Sequence, residues 1–358
     1  MPDSLHIISS RMAGGAERFC ARLTNALSEA VVGRVTAVHP LHSAVCQETA
    51  SHVLHRHLPM WSVVDVWSRW AIRAAARQTA PVVVQSYMGR ATRLTHLSRK
   101  AGVVHIARLG GFYNTAGFRH ADAWVGNSLP ICDHLIRHGF PAARVFHIGN
   151  FVADAPEPTP DATLALRARW QIPPDAAVIV AVGRLHPVKG FDDLLYGMHR
   201  LRELIPSRSL RLVCVGDGPL RHDLQALTAR LGLTKHVIWT GWDLAPERYL
   251  ALADLAVCPS RQEGLGNVIL EAWAARRPII ATRTAGAEAL ISHGESGWLT
   301  PVRDPQALAK AMLELLGNEP LRRALTACGH ATLCRRHRRE TVVTAYAELY
   351  RTALYWPK

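Results

Sequence analysis

The chain has 358 residues, of which 49% are apolar and 20% charged, which is ample for two domains of ordinary size, each with a substantial core. Its formal net charge is +14 and its sequence pI is about 10.0. Residues 1–150 hold 16 Lys/Arg against 7 Asp/Glu, together with 12 of the 19 histidines, so that half would face something anionic if the charge is functional. No run of 18 or more apolar residues is present to span a bilayer, and the N-terminus lacks the charged-then-apolar pattern of a secretory signal. The seven cysteines are odd in number and include no Cys-x-x-Cys pair, the pattern of a reduced cytosolic protein without a structural zinc site. No recognition motif accompanies the positive charge, so nucleic acid is not an expected partner.

In chain order, Leu5–Ser9 reads as a strand and is followed by Gly14-Gly15-Ala16-Glu17-Arg18, whose spacing is not that of the Gly-x-Gly-x-x-Gly dinucleotide fingerprint. A basic helix near Trp61, Trp67, Arg69, Trp70, Arg73 and Arg77 has two readings. It rests on an anionic leaflet with its tryptophans at headgroup depth, or it packs its apolar side on the sheet and leaves the arginines solvated. Val103–Leu109 is a strand with His105 inside it, read as structural, leading into Gly110-Gly111-Phe112-Tyr113-Asn114. Arg144–Asn150 closes the first alternating series, and the proline-rich stretch 151–174 interrupts the pattern as a linker would.

The second series begins with Val178–Val182, which runs into Gly183-Arg184-Leu185-His186-Pro187-Val188-Lys189-Gly190 before a helix at Phe191–Leu204. Arg184 and Lys189 bracket that turn; they suit a diphosphate, the arginine by its fork and the lysine as a point charge, or they are a solvated pair. Strand ends at Gly216-Asp217-Gly218 and at Gly241-Trp242 follow. The apolar run Asp254–Ser260 reads as a buried parallel strand, which sets Glu263 in the loop at its carboxyl end, and Val268–Arg276 as the next helix. Ligands of open α/β sheets bind at that edge. The glycines of Gly264-Leu265-Gly266-Asn267 permit close backbone approach, a helix N-terminus suits an anion, and Glu263 and Glu271 can accept bonds from hydroxyls. The alternative is an ordinary strand–loop–helix unit with two solvated glutamates. The cluster Arg335-Arg336-His337-Arg338-Arg339 reads as a solvated connection, and Arg339–Leu354 as a last helix with Val342, Val343, Ala345, Leu349 and Leu354 at helical spacing.

Gly183-Arg184-Leu185-x3-Lys189-Gly190 and Glu263-x7-Glu271 together resemble the motifs of the retaining GT-B glycosyltransferases of family four, residue for residue. The resemblance covers nearly the whole chain. It implies an α/β protein of GT-B architecture, two Rossmann-like parallel-sheet domains facing a central cleft: an acceptor domain at 1–155, a donor domain at 156–338, and a terminal helix at 339–358 crossing back to the first. It implies that Gly15 of the Gly-Gly-x-Glu turn lets the backbone approach the donor diphosphate, and that the loops at Gly183, Gly216 and Gly241 lie beside the donor, the latter two near its base. Glu263 would hold sugar hydroxyls, Glu271 the ribose, and Gly264, Leu265, Gly266 and Asn267 would supply N–H donors to sugar or phosphate. One departure concerns the histidine that many members carry in the first domain near the donor sugar. Its place falls on Gly110, leaving Arg108, Tyr113 and Asn114 as substitutes on the acceptor side.

The sequence has no Asp-x-Asp motif to hold a divalent metal on the diphosphate, so Arg184, Lys189 and helix N-termini would neutralise the leaving group, with no metal and no cofactor. The expectation is a retaining, metal-independent transferase that moves a sugar, from UDP by the reading adopted, to a cell-envelope glycan or glycolipid such as lipopolysaccharide. It would be cytoplasmic and peripheral on the inner face of the membrane. The alternatives are a soluble GT-B sugar-phosphate synthase and a non-catalytic nucleotide- or carbohydrate-binding protein.

Overall fold

The computed structural model describes residues 2–12, 14–30, 33–97, 102–153 and 159–356. The chain forms two compact units, Met1–Val152 with His337–Lys358, and Ala153–Arg336. The expected domain boundary at 155/156, with Pro156 and Pro158, lies outside the described residues, and the rest of the stretch read as a linker contains a helix, Pro160–Arg169.

In the first unit β1 (Asp3–Ile8), β2 (Val35–His39), β3 (Leu54–His57), β4 (Val82–Tyr87), β5 (Val103–Leu109), β6 (Ala123–Gly126) and β7 (Val145–His147) form one sheet in the order β3-β2-β1-β4-β5-β6-β7. Every neighbouring pair is parallel. The run Val82-Val83-Val84 is apolar at successive positions because β4 is covered on both faces. Val83 points to a core with Phe19, Leu23 and Ile106, and Val82 and Val84 to one with Leu5, Ile72 and Ala76. The helix Val66–Thr79 closes the second core. Asp65 caps it by accepting from the Ser68 amide at 3.0 Å, and Ala71, Ile72, Ala75 and Ala76 are its packed face. The last helix, Arg339–Ala353, packs on the first core through Val342, Val343, Leu349 and two tyrosines outside the apolar pattern, Tyr346 and Tyr350.

In the second unit β8 (Ala177–Val182), β9 (Leu210–Val215), β10 (Val237–Gly241), β11 (Leu255–Cys258), β12 (Ile279–Thr282) and β13 (Trp298–Thr300) form a parallel sheet in the order β10-β9-β8-β11-β12-β13. Ile179, Leu212, Val257 and Ile280 meet Leu194, Met198 and Met312 from the helices Phe191–Leu204 and Pro305–Gly317. Strand order reverses between β1 and β4 in one sheet and between β8 and β11 in the other. The loops leaving those strands diverge there and open a crevice at their carboxyl ends. Among the described residues no helix is long and apolar enough to cross a membrane.

Candidate active site

The loops after β8 and β11 leave adjacent strands at the switch point of the second sheet, and backbone geometry holds them to their neighbours. Gly183 donates to the Val215 carbonyl at 2.9 Å, Leu185 to Asp217 at 2.9 Å, and Gly216 to Gly241 at 2.9 Å, so three strand-end loops form one layer. Gly216 has φ +143, and a Cβ there would sit 2.0 Å from the Gly183 carbonyl oxygen. Only glycine fits that crossing. Gly190, at φ +64, makes an equally close approach to the Pro259 carbonyl, where a Cβ would come within 2.1 Å. Gly183, Gly216 and Gly241 therefore lie in one place, as does Gly190, a position the motif contains and the candidate set omitted.

Across this junction Lys189 Nζ is bonded to Glu263 Oε1, and Ser260 Oγ donates to the same oxygen at 2.8 Å. The side chains are 26% and 14% exposed, so the pair is largely withdrawn from solvent. Burial opposes the ammonium charge; Glu263, with Cys258 and Glu271 adding, outweighs it and holds the Lys189 pKa above the usual lysine value. Glu271 is thus within electrostatic reach of Lys189, and the structure brings Lys189, Glu263 and Glu271 together. Removing one partner of such a pair leaves a charge uncompensated, at roughly 3–5 kcal/mol for a fully buried one. Arg184 is exposed and, among the described residues, has no ion pair. It projects from the same loop with its fork uncommitted.

Three groups outside the candidate set hold the two loops in register. The Arg261 guanidinium bonds Asp193 at 2.9 Å and Asp192 at 2.7 Å, and the Arg261 amide donates to Val188 at 2.8 Å. Those carboxylates push the arginine pKa up. Asp192 and Asp193 sit in the first turn of Phe191–Leu204. The signal in the sequence was the acidic pair itself, but nothing local names its partner about seventy residues away. Beyond the pair, Leu265 is buried, and Gly266 takes φ +93 at the start of the helix Asn267–Ala274, which begins one residue earlier than the pattern suggested. Gly264 and Asn267 flank it on the same loop. Gly286 donates to the Glu263 carbonyl at 3.2 Å, and a Cβ on it would lie 2.6 Å from the Leu265 amide, so the loop also rests on the start of the next helix.

In the first unit Gly15 opens the helix Gly15–Glu29 directly after the loop of β1, at that sheet's own switch point. The three acceptor-side candidates are dispersed in their roles. Arg108 is 1% exposed and turned inward: it donates to Tyr346 at 3.2 Å and to Asn150, and it lies 4.1 Å over the Phe19 ring. Its charge is met by ring faces and neutral oxygens. Asn114 is exposed, but its side chain accepts from the Ala116 amide at 3.0 Å and starts the turn Thr115–Phe118. Tyr113 stacks on Phe118 at 5.9 Å and is half-buried. His105 is buried in β5 against Ser86, 2.8 Å away, which is the structural place expected for it. The connection at 335–339 differs from expectation in two residues. Arg335, Arg336 and Arg338 are exposed and Arg339 pairs with Glu29, but His337 is buried, 2.9 Å from the Asn150 carbonyl.

The basic helix packs an apolar side on the sheet, as the second of its two readings has it, and also leaves aromatic side chains outward. Small residues suffice to cover the sheet, and Trp61, Trp67 and Trp70 remain 75%, 57% and 65% exposed, with Val64 and Val66 beside them. Two of its arginines are partly committed, Arg69 to the Val63 carbonyl at 2.8 Å and Arg73 to His96 at 2.6 Å.

Two all-parallel α/β units, one with paired charged loops at its switch point, have the architecture of the GT-B glycosyltransferases. The whole chain superposes on the Anabaena protein HepE, solved with UDP and glucose, with a TM-score of 0.84 at 18% identity over 97% of this chain and 99% of that one. It also superposes on the lipopolysaccharide outer core galactosyltransferase WaaB, with a TM-score of 0.71 at 18% identity over 99% of each. The family Glycosyl transferases group 1 matches residues 176–318, and the lipopolysaccharide core biosynthesis glycosyltransferase LpsE of Rhizobium meliloti is 30% identical over 94% of this chain and 95% of its own length. The protein belongs to this family and is a glycosyltransferase.

Proposed function

We propose that this glycosyltransferase moves a sugar from a UDP-sugar to the core of a lipopolysaccharide or a related envelope glycolipid, with retention and without a metal on the diphosphate. The observation that carries the reading is the Lys189–Glu263 pair at the switch point, beside the uncommitted Arg184 and the second carboxylate Glu271. Lys189 has three donors, so it can keep Glu263 and still face a phosphate oxygen, with Arg184 closing on the other side. Positive charge already in place as the diphosphate leaves favours the transition state without reorganisation. Glu263, fixed by Lys189 and Ser260, holds sugar hydroxyls and favours the developing positive charge on the sugar, while Glu271 takes the ribose. The departing phosphate oxygen accepts the acceptor's proton on the same face, so no protein nucleophile is needed.

The lipopolysaccharide relatives support the acceptor class, and HepE, solved with UDP, supports the nucleotide. The exposed tryptophans with the surplus of basic residues in 1–150 support a peripheral station at an anionic membrane surface. Calorimetry with UDP, GDP and ADP, followed by donor-consumption assays with truncated lipopolysaccharide cores, tests the reading. Tight binding of UDP and core-dependent consumption of one UDP-sugar are expected. Preference for GDP overturns the donor, and consumption that ignores the core overturns the acceptor. Restoration of a chelator-inactivated enzyme by magnesium overturns the metal-free diphosphate site.

A further inference from the structure

The edge of the first sheet carries a cluster that glycosyl transfer does not use. His39 ends β2, His55 and His57 lie on β3, and Cys46 lies in the short helix Ala44–Glu48 that follows β2. The parallel register sets Ala37 beside His55 and His39 beside His57, so strand alternation projects all three imidazoles from one face. The His39 ring centroid is 5.1 Å from that of His55 and 4.9 Å from that of His57. One ligand atom from each of His39, Cys46 and His55 lies within 4.8 Å of the other two. His39 Nδ1 is 3.0 Å from the Pro40 carbonyl, and its Nε2 is 2.8 Å from His55 Nδ1. A proton on Nδ1 donated to that carbonyl leaves the Nε2 lone pair pointing into the cluster, which is how a metal-bound imidazole is held by its surroundings.

We propose that His39, Cys46 and His55 form a zinc site, with the fourth position toward solvent beside His57. Two imidazoles and one thiol are a donor set for zinc, and carboxylate-seeking cations find no ligand there. Bond lengths of roughly 2.0–2.3 Å put tetrahedral ligand atoms about 3.3–3.8 Å apart. The His39–His55 contact therefore opens by about half an ångström as the ion enters and the Cys46 sulfur closes in. Binding forms the Zn–S bond and releases the thiol proton to water. The ion would pin the edge strand β3 and the segment 40–53 to the sheet. This departs from the reading of the cysteines as free of structural zinc. The ligands come from two strands and a helix, and no short spacing announces them.

Cobalt titration of chelator-treated, tag-free protein tests the site. A tetrahedral cobalt spectrum with a thiolate charge-transfer band, saturating at one equivalent and displaced by zinc, is expected. Cys46→Ser should abolish the charge-transfer band, and His55→Asn, at a half-exposed position tolerant of exchange, should weaken binding at least tenfold. Zinc at a hundred times its dissociation constant should raise the wild-type Tm by roughly 5–10 °C and leave Cys46→Ser unmoved. Absence of the thiolate band, its survival in Cys46→Ser, or equal affinity in wild type and His55→Asn overturns the assignment.

Discussion

At the switch point of the second sheet the charged side chains are bonded to one another across loops: Lys189 to Glu263, and Arg261 to Asp192 and Asp193. In the first sheet the polar side chains at the corresponding strand ends turn inward. Tyr350 donates to Gln85 at 2.8 Å, Gln85 to Tyr87 at 2.7 Å, Tyr87 meets His6 at 2.8 Å, and Arg108 reaches Tyr346 and Asn150. Both sheets have the same winding, yet one presents its ionisable groups at the crevice and the other uses them to bind its last helix. The fold supplies the crevice in each unit, and the side chains decide which crevice carries charge chemistry.

The largest expected effect breaks this comparison at its centre. Lys189→Ala and Glu263→Gln should each lower turnover roughly 10²–10³-fold, or about 2.7–4 kcal/mol of transition-state stabilisation, since each removes half of the pair. Glu263→Gln keeps an acceptor for Lys189 and Ser260, so it separates charge from packing. Normal turnover in a folded Glu263→Gln enzyme would place the chemistry elsewhere.

Acid should distinguish the two units. Burial drops the His6 pKa to about 3, and it lowers those of His39 and His105 in the same unit. The unfolded chain therefore takes up these protons first as pH falls below about 6.5, and the first unit loses stability until the folded histidine titrates as well. For His6 alone this is about 2 kcal/mol at pH 5. The Lys189 shift acts in the other direction of pH: its contribution is whole below the ordinary lysine pKa of 10.5 and is lost only in alkali. Hydrogen exchange at pH 5 against pH 7.5 should show the sheet amides of β1, β4 and β5 losing protection ahead of those of β8 and β11. Equal loss in both units would contradict the assignment.

The contrast also explains what the sequence disclosed. Gly183, Arg184, Lys189, Glu263 and Glu271 lie at short spacings because one loop and one helix start hold them, so their placement is legible locally. Arg108 could be named but not aimed. Its partners Tyr346 and Asn150 are brought to it only by folding, and an arginine in a strand end reads equally well as a ligand contact. The tyrosines of the last helix were missed for a related reason: apolar periodicity registers Val342 and Leu349, and a phenol buried by a hydrogen bond to Gln85 breaks the pattern. Asn114 was read as a contact and serves as a cap, a use any exposed asparagine before a turn can have.

Glu271→Ala is the next test in size. Loss of a charged acceptor for the ribose should weaken nucleotide binding by roughly 1.5–3 kcal/mol, tenfold to about a hundredfold. Calorimetry finding unchanged nucleotide affinity would remove Glu271 from the ribose and leave it as electrostatic support for Lys189.

The smallest effect concerns the outward face of the first unit. Anionic liposomes should bind the protein reversibly, through basic residues worth at most about 1 kcal/mol each near the surface and screened within ~8 Å at physiological salt. Arg69 and Arg73 already hold backbone carbonyls, so replacing Arg69, Arg73 and Arg77 together by glutamine should weaken adsorption only about tenfold. Replacing the exposed Trp61, Trp67 and Trp70 by serine should act differently, since indoles settle at headgroup depth independently of salt. The arginine variant should lose its deficit at high salt, where charge no longer contributes, while the tryptophan variant keeps its own. Neither should alter nucleotide affinity, because the charged crevice belongs to the second unit. If the intact protein ignores anionic liposomes even at low salt, the tryptophans face something other than lipid, and the positive surplus of the first unit serves a soluble acceptor.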